Sequence, residues 1–442
     1  MADTDNHNTY YLERMLSFIE NSPTPYHVVA NLKKELVQDK YTVIKEKDAW
    51  ELGAGGMYAV DRNGSSLIAF RIPRKKSYRG FLIIASHSDS PSWKIKENPE
   101  LKNDYYVRLN TEGYGGMLCA PWFDRPLSVA GRLYIKEKER ASAEKSVKQV
   151  LVNVNRDLVM LPSLAIHMNR GANHGQEYNA AKDMVPLYGD ASAEGTFLSV
   201  IAEAARVKEK DILGHDLYLY DRTNPSIWGH EDEFFSVSRI DNQECAYTTF
   251  QGFLNADEQR RTENDYIPVY CIFDNEEVGS TTKQGAASTF LRDTLRRIVL
   301  SLNMGEEKYY RMIAESFMIS ADNAHAIHPN HFDKADPVNR PKMNDGIVIK
   351  SAANQKYTTD AFSEAIVKMV CQRANVPWQI FTNRSDVPGG STLGNISTTQ
   401  VAIRTADIGL AQLAMHSPYE TAGTEDISYM VAFAREFFGG GI

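Results

Sequence analysis

Cysteine is scarce in this sequence of 442 residues, and the four that occur do not indicate a disulfide framework. Cys119, Cys245, Cys271 and Cys371 are far apart and form no CxxC pair. Cys271 and Cys371 lie within apolar runs, so we predict that both are small buried side chains. The absence of a disulfide framework suits a reducing compartment.

Long apolar runs are also missing. No stretch approaches the roughly 18 consecutive apolar residues that a membrane-spanning helix requires, so we expect no membrane partner. The first residues, MADTDNHNTYYLER, carry no apolar signal region. Together these absences predict a soluble, cytoplasmic protein.

The sequence has no excess of positive charge. Its formal net charge is -8, which argues against a nucleic-acid partner. The one short basic cluster, Arg71 to Lys76, is expected to be a solvated loop.

The composition is that of an ordinary globular protein, and the chain is longer than a single domain with one hydrophobic core usually is. Apolar residues make up 43% and charged residues 24%, and the length favours two domains. Residues 92–235 show alternating patterns and turn signals with few helical stripes, whereas helical stripes and buried-strand runs occupy 1–91 and 236–442. We therefore predict an α/β fold with a central mixed β-sheet flanked by helices. The larger domain is expected to be discontinuous (1–91 and 236–442), with 92–235 forming an inserted β-rich domain.

Several elements of the larger domain follow from periodicity. Residues 9–38 predict two helices, and FLIIAS (81–86), VYCIF (269–273) and SFMIS (316–320) predict buried strands. Two further helices are expected near 405–415 and 424–437. One more helix is expected to place on one face the side chains of Phe362, Ala365, Ile366, Met369 and Val370.

Five short segments each end an apolar run with side chains suited to a divalent metal. They are FLIIASHSDSP around His87, VSRIDNQE around Asp241, YCIFDNEEVGS around Glu276 and Glu277, SFMISADNAH around Asp322, and LAMHSPYE around His416. Imidazole nitrogen and carboxylate oxygen are zinc ligands, and an enzyme on an α/β sheet brings its ligands from several strand ends. The joint set therefore predicts a site for two zinc ions.

The adjacent acids of this set have separate expected roles. Neighbouring carboxylates repel each other unless a cation offsets the repulsion, so one of Glu276 and Glu277 is expected to bind metal while the other acts as general base. Asp89, two residues after His87, is a candidate partner for the second imidazole nitrogen. His325, His328 and His331 are spaced by three around Pro329, and we do not expect them to ligate zinc.

Longer motifs occur in the order seen in the M18 aminopeptidases. They are ASHSDSP, RIDN, DNEEVGS, SADNAHAIHPN, KxNDGIVIKxxANQKYTTD (342–360), SDVPGGSTLG (385–394) and AMHSPYE. The chain resembles an aspartyl-aminopeptidase type of that family from SPTPYH (22–27) to its last predicted helix.

The resemblance implies a role for each matching residue. One zinc would be held by His87 and Asp322 and the other by Glu277 and His416, with Asp241 between them. Glu276 would be the general base, Asp89 would orient His87, and His167, in LPSLAIHMNR, would reach the active site of a neighbouring subunit. The substrate would be bound by Lys350, Tyr357, Gly390 and Ser391.

The function expected on these grounds is a dinuclear zinc aminopeptidase that removes N-terminal residues, preferably Asp or Glu, from short peptides with a free N-terminus. Lys350 would supply the cation that an acidic side chain needs. The discontinuous domain (1–91 and 236–442) would then be the catalytic zinc peptidase domain, and the inserted domain (92–235) is expected to serve dimerisation. The resemblance also implies dimers assembled into a tetrahedral dodecamer. The alternatives are a zinc exopeptidase of broader or neutral preference, a deacylase acting on acylated amino acids, and a non-catalytic binding or assembly protein on the same fold.

Overall fold

The computed structural model describes residues 2–75, 77–137, 142–256, 265–440 and 442, with side chains from residue 8 onward. Its helices are α1 Ala2–Glu20, α2 Pro25–Gln38, α3 Phe197–Ala205, α4 Ile240–Leu254, α5 Phe290–Ser301, α6 Gly305–Glu315, α7 Ala361–Ala374, α8 Leu393–Ser397 and α9 Asp426–Phe438. None of the helices within these ranges combines the length and the apolar character needed to cross a bilayer.

The strands are numbered in chain order. They are β1 Thr42–Ile44, β2 Met57–Arg62, β3 Ser66–Arg71, β4 Gly80–His87, β5 Ser92–Lys102, β6 Tyr106–Tyr114, β7 Leu127–Lys136, β8 Val147–Asn153, β9 Leu187–Asp190, β10 Ile212–Asp221, β11 Ser226–Trp228, β12 Phe234–Val237, β13 Tyr266–Phe273, β14 Phe317–Ala321, β15 Ala324–His325, β16 Ile347–Ser351, β17 Trp378–Thr382, β18 Arg404–Gly409, β19 Ala411–Leu413 and β20 Glu420–Gly423.

The described chain divides into two compact units. The first contains residues 1–89, 225–415 and 420–442, and the second contains 90–224 and 416–419. The first unit holds a nine-stranded mixed sheet in the order β1-β2-β3-β13-β4-β14-β18-β16-β17. It also holds a smaller sheet in the order β11-β12-β20-β19-β15. The predicted α/β class with a central mixed sheet is confirmed.

Helices cover both faces of the large sheet, and the central strands show why. All eight residues of β4 and all eight of β13 are buried. Along β4, Leu82 and Ile84 enter a core built with α1, α2, α4, α7 and α9, whereas Phe81 and Ile83 enter a second core built with α5 and α6. A continuous apolar run is what a strand buried on both faces requires.

The strands predicted at 81–86, 269–273 and 316–320 are confirmed as β4, β13 and β14. The helix predicted near 405–415 is wrong, because this segment forms strands β18 and β19. Its residues TADIG are buried at every position, so tertiary packing on both faces outweighs the helix-like spacing.

Two further expectations need correction. Helix α7 buries Ser363, Val367, Val370 and Cys371, whereas Phe362 and Met369 of the predicted face are exposed. Arg71 is not in a solvated loop but is buried at the end of β3, where its guanidinium lies over the ring of Phe253. Lys76, at the other end of that basic cluster, lies outside the described residues.

The second unit is a β structure with its own core. Its sheet has the order β8-β7-β10-β5-β6-β9, and each neighbouring pair is antiparallel. Helix α3 contributes Phe197 and Ile201 to a core that contains Trp93 and Trp122. The dimerisation role of residues 92–235 stays a prediction.

Candidate metal centre

His87 is the centre of a cluster of acids at the carboxyl end of β4. It is the last residue of that strand and is almost fully buried. Its Nε2 lies 3.3 Å from Asp241 Oδ1 and 3.8 Å from Asp322 Oδ1. Its Nδ1 lies 3.0 Å from the main-chain oxygen of Asp89 and 3.5 Å from Oδ1 of the same residue. Nε2 therefore faces two of the predicted ligands while Nδ1 is held by Asp89.

Glu276 and Glu277 are brought to this cluster by the short 3-10 turn that follows β13. The two carboxylate oxygens of Asp89 accept hydrogen bonds from their main-chain N–H groups, each at 3.1 Å. Ligand atoms of His87, Asp241 and Glu277 all lie within 4.8 Å of one another. Because β13 and β14 both run parallel to β4, their carboxyl ends meet at one edge of the sheet.

Main-chain contacts link the remaining two acids to the rest of the first unit. Asp241 lies at the start of α4, where its N–H donates to Glu420 Oε2 at 3.1 Å. Asp322 directly follows β14, and its N–H donates to the carbonyl of Ile408 at 2.9 Å. The neighbouring side chain of Asn242 donates to the carbonyl of Ala321 at 2.9 Å, which joins the two segments.

The charge distribution of the cluster fits a divalent cation. Burial, together with the carboxylates of Asp322, Asp89 and Asp241, raises the pKa of Glu276 to about 8 despite the opposing effect of His87. Burial and Asp241 also raise the pKa of Glu277 well above its usual value. Burial alone would lower the pKa of His87, but its carboxylate neighbours raise it instead. A bound cation would offset this excess of negative charge, and imidazole with carboxylates is a donor set suited to zinc.

Lys350 brings a buried positive charge beside the cluster. Its Nζ donates to the carbonyl of Asn323 at 2.7 Å and lies 3.9 Å from Asp322 Oδ1. Burial would lower the pKa of Lys350, but Asp322, Tyr357 and Asp407 raise it above the usual value. The Nζ atom also lies 5.6 Å from the centre of the Tyr357 ring. Lys350 and Tyr357, both predicted to bind substrate, are therefore neighbours.

Gly390 and Ser391 lie on an exposed loop before α8. A Cβ at Gly390 would meet no heavy atom within 4 Å, so open space surrounds this position. Ser391 Oγ donates to Asn395 Oδ1 at 3.0 Å.

His416 and His167 belong to the second unit. The main-chain oxygen of His416 accepts from the Leu118 N–H at 3.1 Å, and its Nδ1 makes a short contact with the main-chain oxygen of Gly116. His167 is exposed in a turn between Ile166 and Met168, whose side chains are also exposed. The ligand and subunit-crossing roles of these two histidines stay predictions.

Three buried acids that support the site were not predicted. Glu244 makes a short hydrogen bond with Asn323 Nδ2, and Glu420 accepts from Asp241. Asp407 accepts from Thr358 N and Oγ1, each at 2.6 Å, and from Thr392 Oγ1 at 2.5 Å. The sequence does contain one signal for Asp407, which lies inside the apolar run TADIGL. An acid in such a run is expected to be buried and to need hydrogen-bond partners.

Comparison with known proteins identifies the family of the chain. The family described as "Aminopeptidase I zinc metalloprotease (M18)" matches residues 18–438. "Probable M18 family aminopeptidase 2" of Clostridium acetobutylicum is 43% identical over 434 residues, which are 97% of this chain and 98% of that protein. The protein of the same description from Pseudomonas aeruginosa (strain UCBPP-PA14) is 37% identical over 431 residues, 96% of this chain and 97% of that protein.

Solved structures show the same fold. The structure described as "Cryo-EM structure of the Ape4 and Nbr1 complex" has a TM-score of 0.93 and 34% identity, and it covers 98% of this chain and 86% of that one. The mApe1 dodecamer of S. cerevisiae has a TM-score of 0.84 and 26% identity, covering 98% of this chain and 97% of that one. The chain therefore belongs to the M18 family and is a zinc aminopeptidase.

Proposed function

We propose that this enzyme uses two zinc ions per subunit to remove acidic N-terminal residues, Asp or Glu, from short peptides. The observation that carries the proposal is the convergence of His87, Asp241, Glu277 and Asp322 beside the buried cation Lys350. The first four residues supply metal ligands, and Lys350 supplies a charge complementary to an acidic side chain.

The zinc ligands proposed are His87 and Asp322 for one ion, Glu277 and His416 for the other, and Asp241 between them. Two ions require more donor atoms than one imidazole and one carboxylate provide, and this cluster supplies several carboxylates around one histidine. Zinc, when bound, lowers the pKa of water to about 7 and polarises the scissile carbonyl.

The protein's own groups would handle the proton and the substrate. The main-chain N–H of Glu276 donates a hydrogen bond to Asp89 and holds the residue in place. The carboxylate of Glu276 would then act as the base that takes a proton from water and passes it to the leaving amine. Asp89 also keeps the imidazole of His87 oriented.

Lys350 is the proposed determinant of the acidic preference. One of its three ammonium donors is used by Asn323, and the Tyr357 ring lies against the same ammonium. A substrate carboxylate would find a desolvated cation there, and a charge-assisted hydrogen bond is strong in such surroundings.

One observation favours the alternative of a broader or neutral preference. Lys350 lies 3.9 Å from Asp322, so part of its charge already compensates a carboxylate of the protein. If this compensation is its main role, loss of Lys350 would weaken hydrolysis of all substrates alike.

The experiment compares anilides of Asp, Glu and Leu, together with N-acetylated Asp anilide, and measures zinc per subunit by elemental analysis. We expect two zinc ions, a preference for Asp and Glu, and no turnover of the blocked substrate. Lys350→Ala should lower kcat/KM for Asp and Glu about 10–100-fold more than for Leu, as expected when a charge-assisted hydrogen bond is lost. Lys342→Ala is the matched control, because Lys342 is highly exposed.

Equal losses on all three anilides would contradict the acidic preference, and a single zinc per subunit would contradict the dinuclear site. Release of acetate from the acetylated substrate would favour the deacylase instead.

Assembly and location are proposed as well. We propose that the second unit serves dimerisation and that dimers form a dodecamer with enclosed active sites in the cytoplasm. Leu164, Ile166 and Met168 expose 57%, 48% and 72% of their surface, and a partner subunit would cover such an apolar segment. The mApe1 neighbour is described as a dodecamer. Size measurement by light scattering tests this proposal, and a monomeric active enzyme would contradict it.

A further inference from the structure

A cavity in the first unit is lined by several basic side chains. Its volume is about 310 Å³, and it lies between the segment after β15 and the loop after β17. Several of its lining side chains are basic or are hydrogen-bond donors: His325, His328, His331, Lys334, Arg340 and Arg384. Asp336 is the acidic residue among the lining residues. The lining is therefore suited to an anion.

One carboxylate oxygen of the acid in this cavity is already engaged by its own turn. Asp336 Oδ1 accepts from the N–H groups of Val338 at 3.0 Å and Asn339 at 2.7 Å, and from Asn339 Nδ2 at 3.2 Å. Arg384 is likewise engaged, because it forms a salt bridge of 2.8 Å with Asp386. Neither group is therefore the principal partner for a ligand.

Arg340 and His328 are better placed to donate. In the described part of the chain, the guanidinium of Arg340 forms no hydrogen bond and no salt bridge, and its residue is exposed at the cavity. The pKa of Asp336 is lowered mainly by the N–H groups of Asn339 and Val338, and the charge of Arg340 has only a small effect on it. His328 Nδ1 accepts from the Asn330 N–H at 3.1 Å, so its proton is on Nε2 in the neutral form. The ring of His331 lies 4.8 Å from that of His328.

The cavity borders the proposed substrate region. Phe381, which lines it, has its ring 6.2 Å from that of His325 and 6.2 Å from that of Tyr357. Tyr357 in turn lies against Lys350, and His325 follows Asp322 by three residues. The cavity is thus connected through one aromatic ring to the residues proposed to hold the substrate.

The shape and lining favour an organic anion. Ile327, Phe381 and Val387 provide apolar surface beside the donors. An inorganic anion would leave this apolar surface uncovered, whereas an amino-acid residue that ends in a carboxylate would cover it and reach the donors. The C-terminal residue of a short peptide has this combination of a side chain and a carboxylate.

Resting on the proposed function, we infer that this cavity binds the C-terminal carboxylate of short peptide substrates, with Arg340 as its principal cation. Peptides with a free C-terminus would then be preferred over their C-terminal amides. This would make chain length and the free C-terminus, in addition to the N-terminal residue, determinants of specificity.

The test uses Asp-initiated di- and tripeptides, each as the acid and as the C-terminal amide. For one peptide length, we expect kcat/KM of the acid to exceed that of the amide by about tenfold, which is the effect of one charge-assisted hydrogen bond. Arg340→Ala should reduce the acid to the level of the amide, and Arg340→Lys should retain part of the difference. Arg311→Ala is the matched control, because this surface arginine is 70% exposed on α6.

Binding is measured separately by calorimetry on the Glu276→Gln variant, so that the result does not depend on turnover. Tighter binding of the acid that disappears with Arg340→Ala supports the inference even if the acidic N-terminal preference fails. Equal affinity for acid and amide at both peptide lengths, or an equal loss of both with Arg340→Ala, overturns it.

Discussion

At the scale of single residues, Glu276 and Glu277 are adjacent in sequence but are proposed to have different roles. Ligand atoms of Glu277, Asp241 and His87 lie within 4.8 Å of one another, whereas Glu276 is proposed as the base. We predict that Glu276→Gln retains zinc but lowers kcat by about 10²–10⁴-fold, because the amide cannot accept the proton. Steady-state kinetics and elemental analysis of the same preparation test this, and near-normal turnover would refute the assignment.

The matched variant is Glu277→Gln, which removes the adjacent carboxylate by the same chemical change. We expect this variant to lose zinc as well as activity, since a neutral amide is a weaker ligand than a carboxylate. If the two variants behaved alike in zinc content, the proposed division of roles would be wrong.

The sequence located the candidate metal ligands at strand ends but not the buried acids that support them. His87 and Asp322 were recognisable because each ends or follows a run of apolar residues. Asp407 and Glu244 lie inside strand β18 and helix α4, and their partners, Thr358, Thr392 and Asn323, are distant in the chain. Such pairings follow from tertiary packing, which local spacing does not report.

At the scale of elements, Asp407 of β18 joins two segments proposed to hold the substrate. It accepts from Thr358, next to Tyr357, and from Thr392, next to Ser391. We predict that Asp407→Asn destabilises the protein by about 1–3 kcal/mol, because an amide leaves at least one of these donors without an acceptor. KM should also rise, since both segments lose their common anchor.

Urea unfolding and steady-state kinetics measure the two effects of Asp407→Asn. Glu307→Gln serves as the control, because Glu307 is 80% exposed and such surface changes stay within about 0.5 kcal/mol. A variant as stable as the control, with an unchanged KM, would show that Asp407 does not anchor these segments.

Helix α2 carries a pH-sensitive contact near its start. Burial, with a smaller effect of Arg239, lowers the pKa of His27 from 6.5 to about 4, and its Nδ1 lies 2.8 Å from Thr24 Oγ1. At a pH between these two pKa values the unfolded chain binds more protons than the folded chain. The free energy of unfolding therefore falls as the pH drops below 6.5, by at most about 3 kcal/mol.

We predict that His27→Gln reduces this acid sensitivity, because glutamine does not titrate. Unfolding in urea at about pH 7 and about pH 5, near the range in which histidine titrates, measures the change. His230→Gln, at an exposed position, should leave the pH dependence as in the original chain. An identical pH dependence in both variants would exclude His27 as the source.

The errors at the element scale have one physical origin. Residues 405–415 are apolar enough to suit a helix or a doubly buried strand, and periodicity alone does not separate these states for short runs. For α7 the helix itself was correct, but Phe362 and Met369 are exposed while Val367 and Cys371 face the core. The face that packs is set by neighbouring elements such as α9, which the sequence of one helix does not contain.

At the scale of the whole molecule, the large sheet explains why ligands distant in sequence converge. Strands β13 and β14 lie on either side of β4, and both run parallel to it. The carboxyl ends of these three strands therefore lie at one edge of the sheet. Glu277 follows β13, Asp322 follows β14 and His87 ends β4. The sequence predicted an α/β sheet and acids at strand ends, but the strand order that makes them neighbours required the folded structure.

Assembly would add one more group to the site. His167 is proposed to act in the active site of a neighbouring subunit, where its imidazole would donate a hydrogen bond to the oxyanion. His167→Ala should lower kcat without changing the oligomer size. This outcome alone does not tell which subunit's site the histidine enters, so a mixing experiment is needed.

Coexpression of His167→Ala and Glu276→Gln subunits tests whether the site is shared. In a mixed dimer, the subunit that retains Glu276 would receive His167 from its partner, so one of its two sites would be intact. With random pairing, half of the dimers are mixed, and we predict recovery of roughly a quarter of the original activity. If His167 acted within its own subunit, no site would hold both groups and activity would stay at the level of the separate variants.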